Sequence, residues 1–120
     1  MERVTGIGGL FFRSKDPEAL GRWYRDQLGI DLVPTSADGQ PWQQEAGITI
    51  FAPFPAETDY FAADKPFMLN FRVSDMDAMM AQLRAGGTEV TERDGGELGR
   101  FAHLADPEGT PIELWEPPKG

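Results

Sequence analysis

Apolar residues recur at helical spacing in two stretches of the chain, and an aspartate precedes each stretch. In the first stretch, Asp16 suits the N-cap position of a helix, and Pro17 and Glu18 suit its first turn. Gly29 follows as a plausible left-handed stop. The apolar stripe between them consists of Leu20, Trp23, Tyr24 and Leu28. This spacing predicts an amphipathic helix that begins after Asp16 and ends before Gly29.

A second helix is predicted after Asp75, which provides the same kind of N-cap, and it ends at Gly86. Its apolar face consists of Met76, Met79, Met80 and Leu83. We expect these methionines to pack in the core of the domain rather than to contact a ligand.

Short runs rich in β-branched and aromatic residues surround each helix and predict strands. One run precedes the first helix and three follow it, at residues 4–13, 30–34, 41–45 and 48–53. The second half repeats this order at residues 67–73, 88–93, 100–105 and 111–116. The repeat predicts an α+β fold in which two βαβββ modules form one domain over residues 1–120. Module 1 covers about 1–54, a linker about 55–66, and module 2 about 67–117.

The stretch that joins the modules, residues 52–66, is rich in proline and acidic residues. A loop of this length within a compact domain often has a function of its own. Two interpretations stay open at this point. The stretch is either a plain crossover between the modules or a lid over a pocket.

Composition narrows the classes of partner. The formal net charge of −9 disfavours nucleic acids and anionic membranes, because both are bound by basic surfaces. It indicates either a well-solvated surface or a preference for cationic ligands. No apolar run approaches the roughly 20 residues that span a bilayer, the N-terminus lacks the pattern of a secretory signal, and there is no cysteine. A cytoplasmic protein is therefore expected.

Two segments carry a resemblance to a known family. The helix that contains Trp23 and Tyr24, together with the ending GRFAHLADPEGTPIELWEP, resembles the vicinal oxygen chelate superfamily over essentially the whole chain. This superfamily includes glyoxalase I, bleomycin resistance proteins, fosfomycin resistance enzymes and extradiol dioxygenases. The resemblance implies that each module curls into half of an open, mixed-sheet barrel and that the pair encloses a cavity. It also implies a homodimer, in which modules are sometimes exchanged between chains.

The resemblance also implies four positions at which related proteins hold a metal ion. In this sequence they fall on Gly9, near Thr49, on Met68 and on Glu113. Only Glu113 is a good ligand, since glycine has no donor and a thioether binds hard divalent ions poorly. We therefore expect no metal and no other cofactor.

Glu113 is nevertheless expected to face the cavity, and a buried carboxylate needs a partner or a proton. Arg72, Arg100 and His103 are the candidates for that partner. His103 alternates with Phe101 along one predicted strand, so it either forms an acid–base pair with Glu113 or lies on the solvent face. Glu113 and His103 are thus the candidate catalytic residues.

Other residues are placed on the concave strand faces by alternation and are expected to contact a ligand. They are Phe11, Thr49, Met68, Asn70 and Trp115. Trp42 lies near a predicted turn and suits a dimer contact or the rim of the cavity.

Three functions fit these residues. The first is a metal-independent protein that binds a small molecule in a dimer cavity, as bleomycin resistance proteins do. The second is a lyase or dioxygenase-type enzyme, such as a lactoylglutathione-lyase-like one, that uses Glu113 with non-standard ligands. The third is an interaction module whose pocket is filled by its own side chains.

Overall fold

Both predicted helices form at the residues that their caps indicate. In a computed structural model, which describes residues 1–119, helix α1 spans Pro17–Leu28 and helix α2 spans Met76–Ala85. The Asp16 carboxylate accepts a hydrogen bond from the Ala19 amide at 3.1 Å, and Asp75 caps α2 in the same way. Gly29 ends α1 with a left-handed φ of 73°, which glycine adopts without a steric penalty. Neither helix is long and apolar enough to cross a membrane.

The second half of the chain forms a four-stranded sheet around α2. Its strands are β1 (Leu69–Arg72), β2 (Thr91–Asp94), β3 (Arg100–Ala105) and β4 (Pro111–Glu116). The spatial order is β1-β4-β3-β2, in which β1 and β4 run parallel and the other pairs are antiparallel. The order β-α-β-β-β of the second module is thereby confirmed, and so is the mixed, open sheet.

One face of the sheet packs against both helices and forms the core. The core side chains are Leu20, Tyr24, Leu69, Met76, Met80, Leu83, Val90, Ala102, Leu104, Ile112 and Leu114. The predicted packing role of the helix methionines is confirmed, because Met76 and Met80 are buried and Met79 packs against them. The alternate residues of β1, β3 and β4 therefore point away from the helices.

The strands predicted for the first half do not form within the single chain. Residues 4–13, 30–34, 41–45 and 48–53 contain neither helix nor strand. Many of their apolar side chains are exposed, including Phe11 at 94 % and Phe51 at 87 %. A strand needs a neighbour for its backbone N–H and C=O groups, and these segments have no ladder partner among residues 1–119. The first module thus contributes only α1 to the regular structure of the single chain.

Helix α1 is fixed to the second half through the turn between β3 and β4. The Tyr24 hydroxyl donates a 2.6 Å hydrogen bond to the buried carboxylate of Asp106. In the same turn, Glu108 accepts hydrogen bonds from the Ser14 hydroxyl at 2.7 Å and from the Lys15 amide at 2.9 Å. The two segments that carry the family resemblance therefore contact each other.

Candidate functional site

The face of the sheet that points away from the helices carries the chemistry-bearing side chains. The register pairs His103 of β3 with Glu113 of β4, and Asn70 of β1 with the same Glu113. We call this the open face and define it by Asn70, Arg72, Thr91, Arg93, Phe101, His103, Glu113 and Trp115. Strand pairing alone brings a carboxylate, an imidazole and an amide together at its centre.

Glu113 is 6 % exposed and accepts hydrogen bonds at both carboxylate oxygens. Its Oε1 accepts from the Asn70 amide at 2.7 Å, and its Oε2 lies 2.7 Å from Nε2 of His103. The Tyr60 hydroxyl also donates to Oε2. These four residues form the carboxylate cluster. A buried carboxylate is costly unless such donors replace water, and here three side chains do so.

His103 is the predicted partner that bonds to Glu113, and the two arginines are not. A carboxylate only accepts hydrogen bonds, so Nε2 of His103 carries the hydrogen while Glu113 is ionised. Arg72 instead donates to the backbone carbonyls of Glu45 at 2.8 Å and Ile48 at 3.1 Å. Arg100 lies on the helix side, where it pairs with Glu92 and Asp77 at the surface. The alternation of side chains along β3 explains why Arg100 and His103 point to opposite faces.

Tyr60 is the member of the cluster that sequence reasoning missed. It lies in the linker, which has neither helical nor strand periodicity to indicate where a side chain points. Its ring meets the His103 ring edge-on, with centroids 5.3 Å apart, and the Arg93 guanidinium lies 6.0 Å from its centroid. The aromatic residues Tyr60 and Phe61 in a proline-rich, acidic stretch were the only available signal.

Burial and the bond to Glu113 change the acidity of the Tyr60 phenol. Loss of solvent, the hydrogen bond and the negative charge of Glu113 raise the pKa of Tyr60 to about 12. The nearby Arg93 charge acts in the opposite direction and lowers this pKa by a smaller amount. The phenol therefore remains a hydrogen-bond donor throughout the neutral pH range.

The residues present do not fit a divalent metal ion at the family's position. Glu113 is hydrogen-bonded to three side chains, Thr49 is exposed, and Met68 offers only a thioether. At Gly9, even a Cβ atom would lie 2.9 Å from the Phe11 ring. Within residues 1–119, no group of three or more His, Cys, Asp or Glu side chains is arranged to hold an ion.

The predicted ligand-contacting residues fall into separate places. Asn70 belongs to the carboxylate cluster. The Trp115 ring stacks parallel to Phe101, with centroids 6.3 Å apart and planes 5° apart, and its indole N–H donates to the Leu98 carbonyl at 2.8 Å. Phe11 and Thr49 are exposed and do not join the cluster within the single chain.

Met68 lies elsewhere, in a cleft of about 490 Å³ beneath the linker. Apolar side chains line most of this cleft, among them Ala52, Phe54, Phe61 and Phe67. Neither Glu113 nor His103 lines it. The linker therefore contacts the open face through Tyr60 and lines the cleft with other residues.

Comparison with known proteins shows what the chain as a whole is similar to. A family model described as "Glyoxalase-like domain" matches residues 9–115. A crystal structure of TnmS3, an antibiotic binding protein from Streptomyces sp. CB03234, is 22 % identical, with a TM-score of 0.68 over 98 % of this chain and 100 % of the other. A glyoxalase/bleomycin resistance protein from the same organism is 26 % identical, with a TM-score of 0.51 over 85 % and 92 % of the two chains. A comparison with curated proteins finds no match.

Proposed function

Because the chain belongs to the family of glyoxalase-like domains, we propose that it binds a small organic molecule on the open face without using a metal. The observation that carries this proposal is the hydrogen bonding of Glu113. Its carboxylate accepts from Tyr60, Asn70 and His103, so both oxygens are bonded to protein donors. A carboxylate surrounded by hydrogen-bond donors suits a ligand that replaces one of these donors better than it suits an ion, which needs several ligands.

The related structures support a binding role. TnmS3 is described as an antibiotic binding protein, and the second neighbour belongs to the glyoxalase/bleomycin resistance group. We extend this role to the present chain as sequestration of a small molecule, in the manner of bleomycin resistance proteins. Such a role needs no catalysis, since binding alone keeps the molecule from its target.

The open face has a surface that suits a flat ligand. Phe101 and Trp115 stack in parallel beside the carboxylate cluster and are both partly exposed. Aromatic surfaces of this kind bind planar molecules through apolar contact and ring stacking. The charged side chains beside them are Arg72 and Arg93. The neighbours of this surface are therefore basic, although the chain as a whole is acidic.

A second copy of the chain completes the site in this proposal. The first half leaves Ile50, Phe51 and Trp42 exposed, together with backbone segments that have no ladder partner. Pairing of these segments with another copy would bury them and close a cavity over the open face. The homodimer predicted from the sequence is therefore part of the proposed function.

The proposal is tested by a thermal-shift screen of planar aromatic compounds, carried out with and without EDTA. We expect some compounds to raise Tm equally under both conditions. The same compounds should raise Tm much less in Glu113→Gln, whereas Glu97→Gln, which alters an exposed carboxylate, should behave as the unmodified protein. If no compound stabilises the protein, or if every shift vanishes with EDTA, the proposal is wrong.

One observation favours an enzyme of the lyase or dioxygenase type as the second candidate. The 2.7 Å contact between His103 and Glu113 is the arrangement that an acid–base pair needs. Turnover of a hemithioacetal that is abolished in His103→Gln would establish this alternative. Absence of turnover with and without added Ni²⁺, Zn²⁺ or Mn²⁺ would eliminate the lyase.

A further inference from the structure

A phenol already lies against the carboxylate of the candidate site, and this chain supplies it. The Tyr60 hydroxyl donates to Oε2 of Glu113, and the Tyr60 ring lies nearly perpendicular to the His103 ring, with centroids 5.3 Å apart. The Arg93 guanidinium lies toward the face of the ring, and Phe54 packs beside it with centroids 5.7 Å apart. The hydroxyl and the ring of Tyr60 therefore each have partners of matching chemistry.

The backbone around Tyr60 is held weakly by comparison with the sheet. The backbone amide of Tyr60 bonds to the Thr58 hydroxyl at 3.2 Å, and the linker is otherwise folded by isolated turns such as the bond from Thr58 N–H to the Pro55 carbonyl. No residue of the linker joins a strand, and the Tyr60 side chain is 37 % exposed. The phenol can therefore leave Glu113 without breaking any hydrogen bond of the sheet.

A molecule that replaces the Tyr60 side chain must meet the same requirements. It must donate a hydrogen bond to Oε2, because a buried carboxylate that loses a donor is destabilised. It must also present a ring whose face tolerates a guanidinium, which favours an electron-rich aromatic ring. An ammonium group would satisfy Glu113, but it would place a second cation beside Arg93. A phenolic hydroxyl satisfies both requirements.

We propose that Tyr60 occupies the place of the ligand, and that the ligand class is phenols, that is, aromatic compounds with a ring hydroxyl that donates to Glu113. This inference rests on the proposed small-molecule binding function. Binding exchanges one phenol for another, and the linker moves outward when the ligand enters. The preference for cationic ligands that the net charge left open is not part of this proposal.

The first experiment uses Tyr60→Ala, which removes the phenol and leaves its space open. Isothermal titration calorimetry with 4-methylphenol, toluene and benzylamine compares a phenol with a ring that lacks the hydroxyl and with an amine. We expect 4-methylphenol to bind at least ~10-fold more tightly than either of the others, since a site built for a hydroxyl rejects analogues without one. Tyr60→Phe is the matched control: its ring still competes for the space but cannot bond to Glu113, so this variant should bind 4-methylphenol more weakly than Tyr60→Ala does.

The second experiment needs no variant and uses 2-naphthol, naphthalene and 2-naphthylmethylamine with the unmodified protein. We expect 2-naphthol to bind at least ~10-fold more tightly than the other two. 2-Naphthol should also bind the unmodified protein more weakly than it binds Tyr60→Ala, because Tyr60 competes with it for Glu113.

The remaining outcomes separate this inference from the proposed function. If toluene or benzylamine matches 4-methylphenol in Tyr60→Ala, or if 2-naphthol binds the variant but not the unmodified protein, the inference is overturned. If non-phenolic compounds bind the unmodified protein in a manner that depends on Glu113, the inference fails while the proposed function stands. If nothing binds either protein, both fail.

Discussion

At the residue scale, the two tyrosines of the chain make the same interaction in two places. Tyr24 donates to Asp106 and Tyr60 donates to Glu113, and both carboxylates are buried. The first pair joins α1 to the turn between β3 and β4, within the core. The second pair lies on the open face, at the end of a weakly held linker. The first pair therefore supports the fold, and the second is the one that we propose gives way to a ligand.

Replacing Tyr24 by phenylalanine should lower the free energy of unfolding. Asp106 would keep its bonds to the backbone amides of Glu108 and Thr110 but would lose the one side-chain donor that it has within residues 1–119. Leaving part of a buried carboxylate without a donor costs about 1–3 kcal/mol. Urea denaturation followed by circular dichroism measures this change. Tyr60→Phe should cost less, since Tyr60 is more exposed, and an equal loss in both variants would contradict the distinction.

The ionisation of Tyr60 gives a pH dependence whose sign follows from its partner. Folding raises the pKa of Tyr60 from an ordinary value of about 10 to about 12 because burial and Glu113 disfavour the phenolate. The contribution of Tyr60 to stability should therefore be complete below pH 10 and should be lost as the pH rises toward 12. Absorbance at 295 nm reports the phenolate directly. An absorbance change near pH 10 in the folded protein that disappears in Tyr60→Phe would contradict this account.

Three members of the carboxylate cluster could be named from the sequence, Glu113 and His103 as a candidate pair and Asn70 by its strand position, while their roles stay predictions. The pairing of Glu113 with His103 was among the predicted alternatives, and strand alternation placed Asn70 on the same face. The place of Tyr60 in the cluster could not be predicted, because the direction of a side chain in an aperiodic linker depends on the local turns. Arg72 and Arg100 were plausible charge partners for Glu113, but one bonds to backbone carbonyls and the other lies on the opposite face.

At the element scale, the difference between the two halves reflects what each element needs. A helix satisfies its backbone within itself, so the caps at Asp16 and Asp75 were sufficient to locate α1 and α2. Strands β3 and β4 begin and end at the predicted residues because each has neighbours in the same chain. The first-half segments have the residue types of strands but no ladder partner. The sequence pattern indicates a strand but does not reveal whether a partner strand lies beside it.

The cap of α2 can be tested by a single substitution. Asp75→Ala removes the bond from the Ala78 amide to the Asp75 carboxylate, which is 3.0 Å long. We expect a loss of about 1 kcal/mol in the free energy of unfolding, which is the usual contribution of an N-cap. Asp75→Asn retains an acceptor and should lose only a small part of that. Equal losses in both variants would mean that charge, rather than the capping bond, is what matters.

At the scale of the whole molecule, the exposed first half is difficult to reconcile with a free monomer. Phe51 is 87 % exposed, and Ile50, Ile48 and Trp42 nearby are also open to solvent. Large apolar patches of this kind on soluble proteins usually mark interaction surfaces. A second copy of the chain is the partner that the proposed cavity requires.

Multi-angle light scattering during size exclusion should therefore report twice the mass of one chain. Phe51→Glu should shift the protein toward the monomer, because it places a charge within the apolar contact. Ser36→Glu adds the same charge at an exposed turn and should leave the dimer intact. If the unmodified protein remains monomeric at high concentration, the dimer is not part of the function.

The central claim is that Glu113 recognises an organic ligand without a metal. The most direct measurement is the dissociation constant, by calorimetry, of a compound that the thermal-shift screen identifies. It is measured with metal-stripped protein, with the same protein after addition of Zn²⁺, Ni²⁺ or Mn²⁺, and with Glu113→Gln. We expect equal affinity with and without the metals and an affinity lower by at least ~10-fold in Glu113→Gln, since a charge-assisted hydrogen bond is weakened. Binding that requires an added metal, or that is unchanged in Glu113→Gln, would contradict the claim.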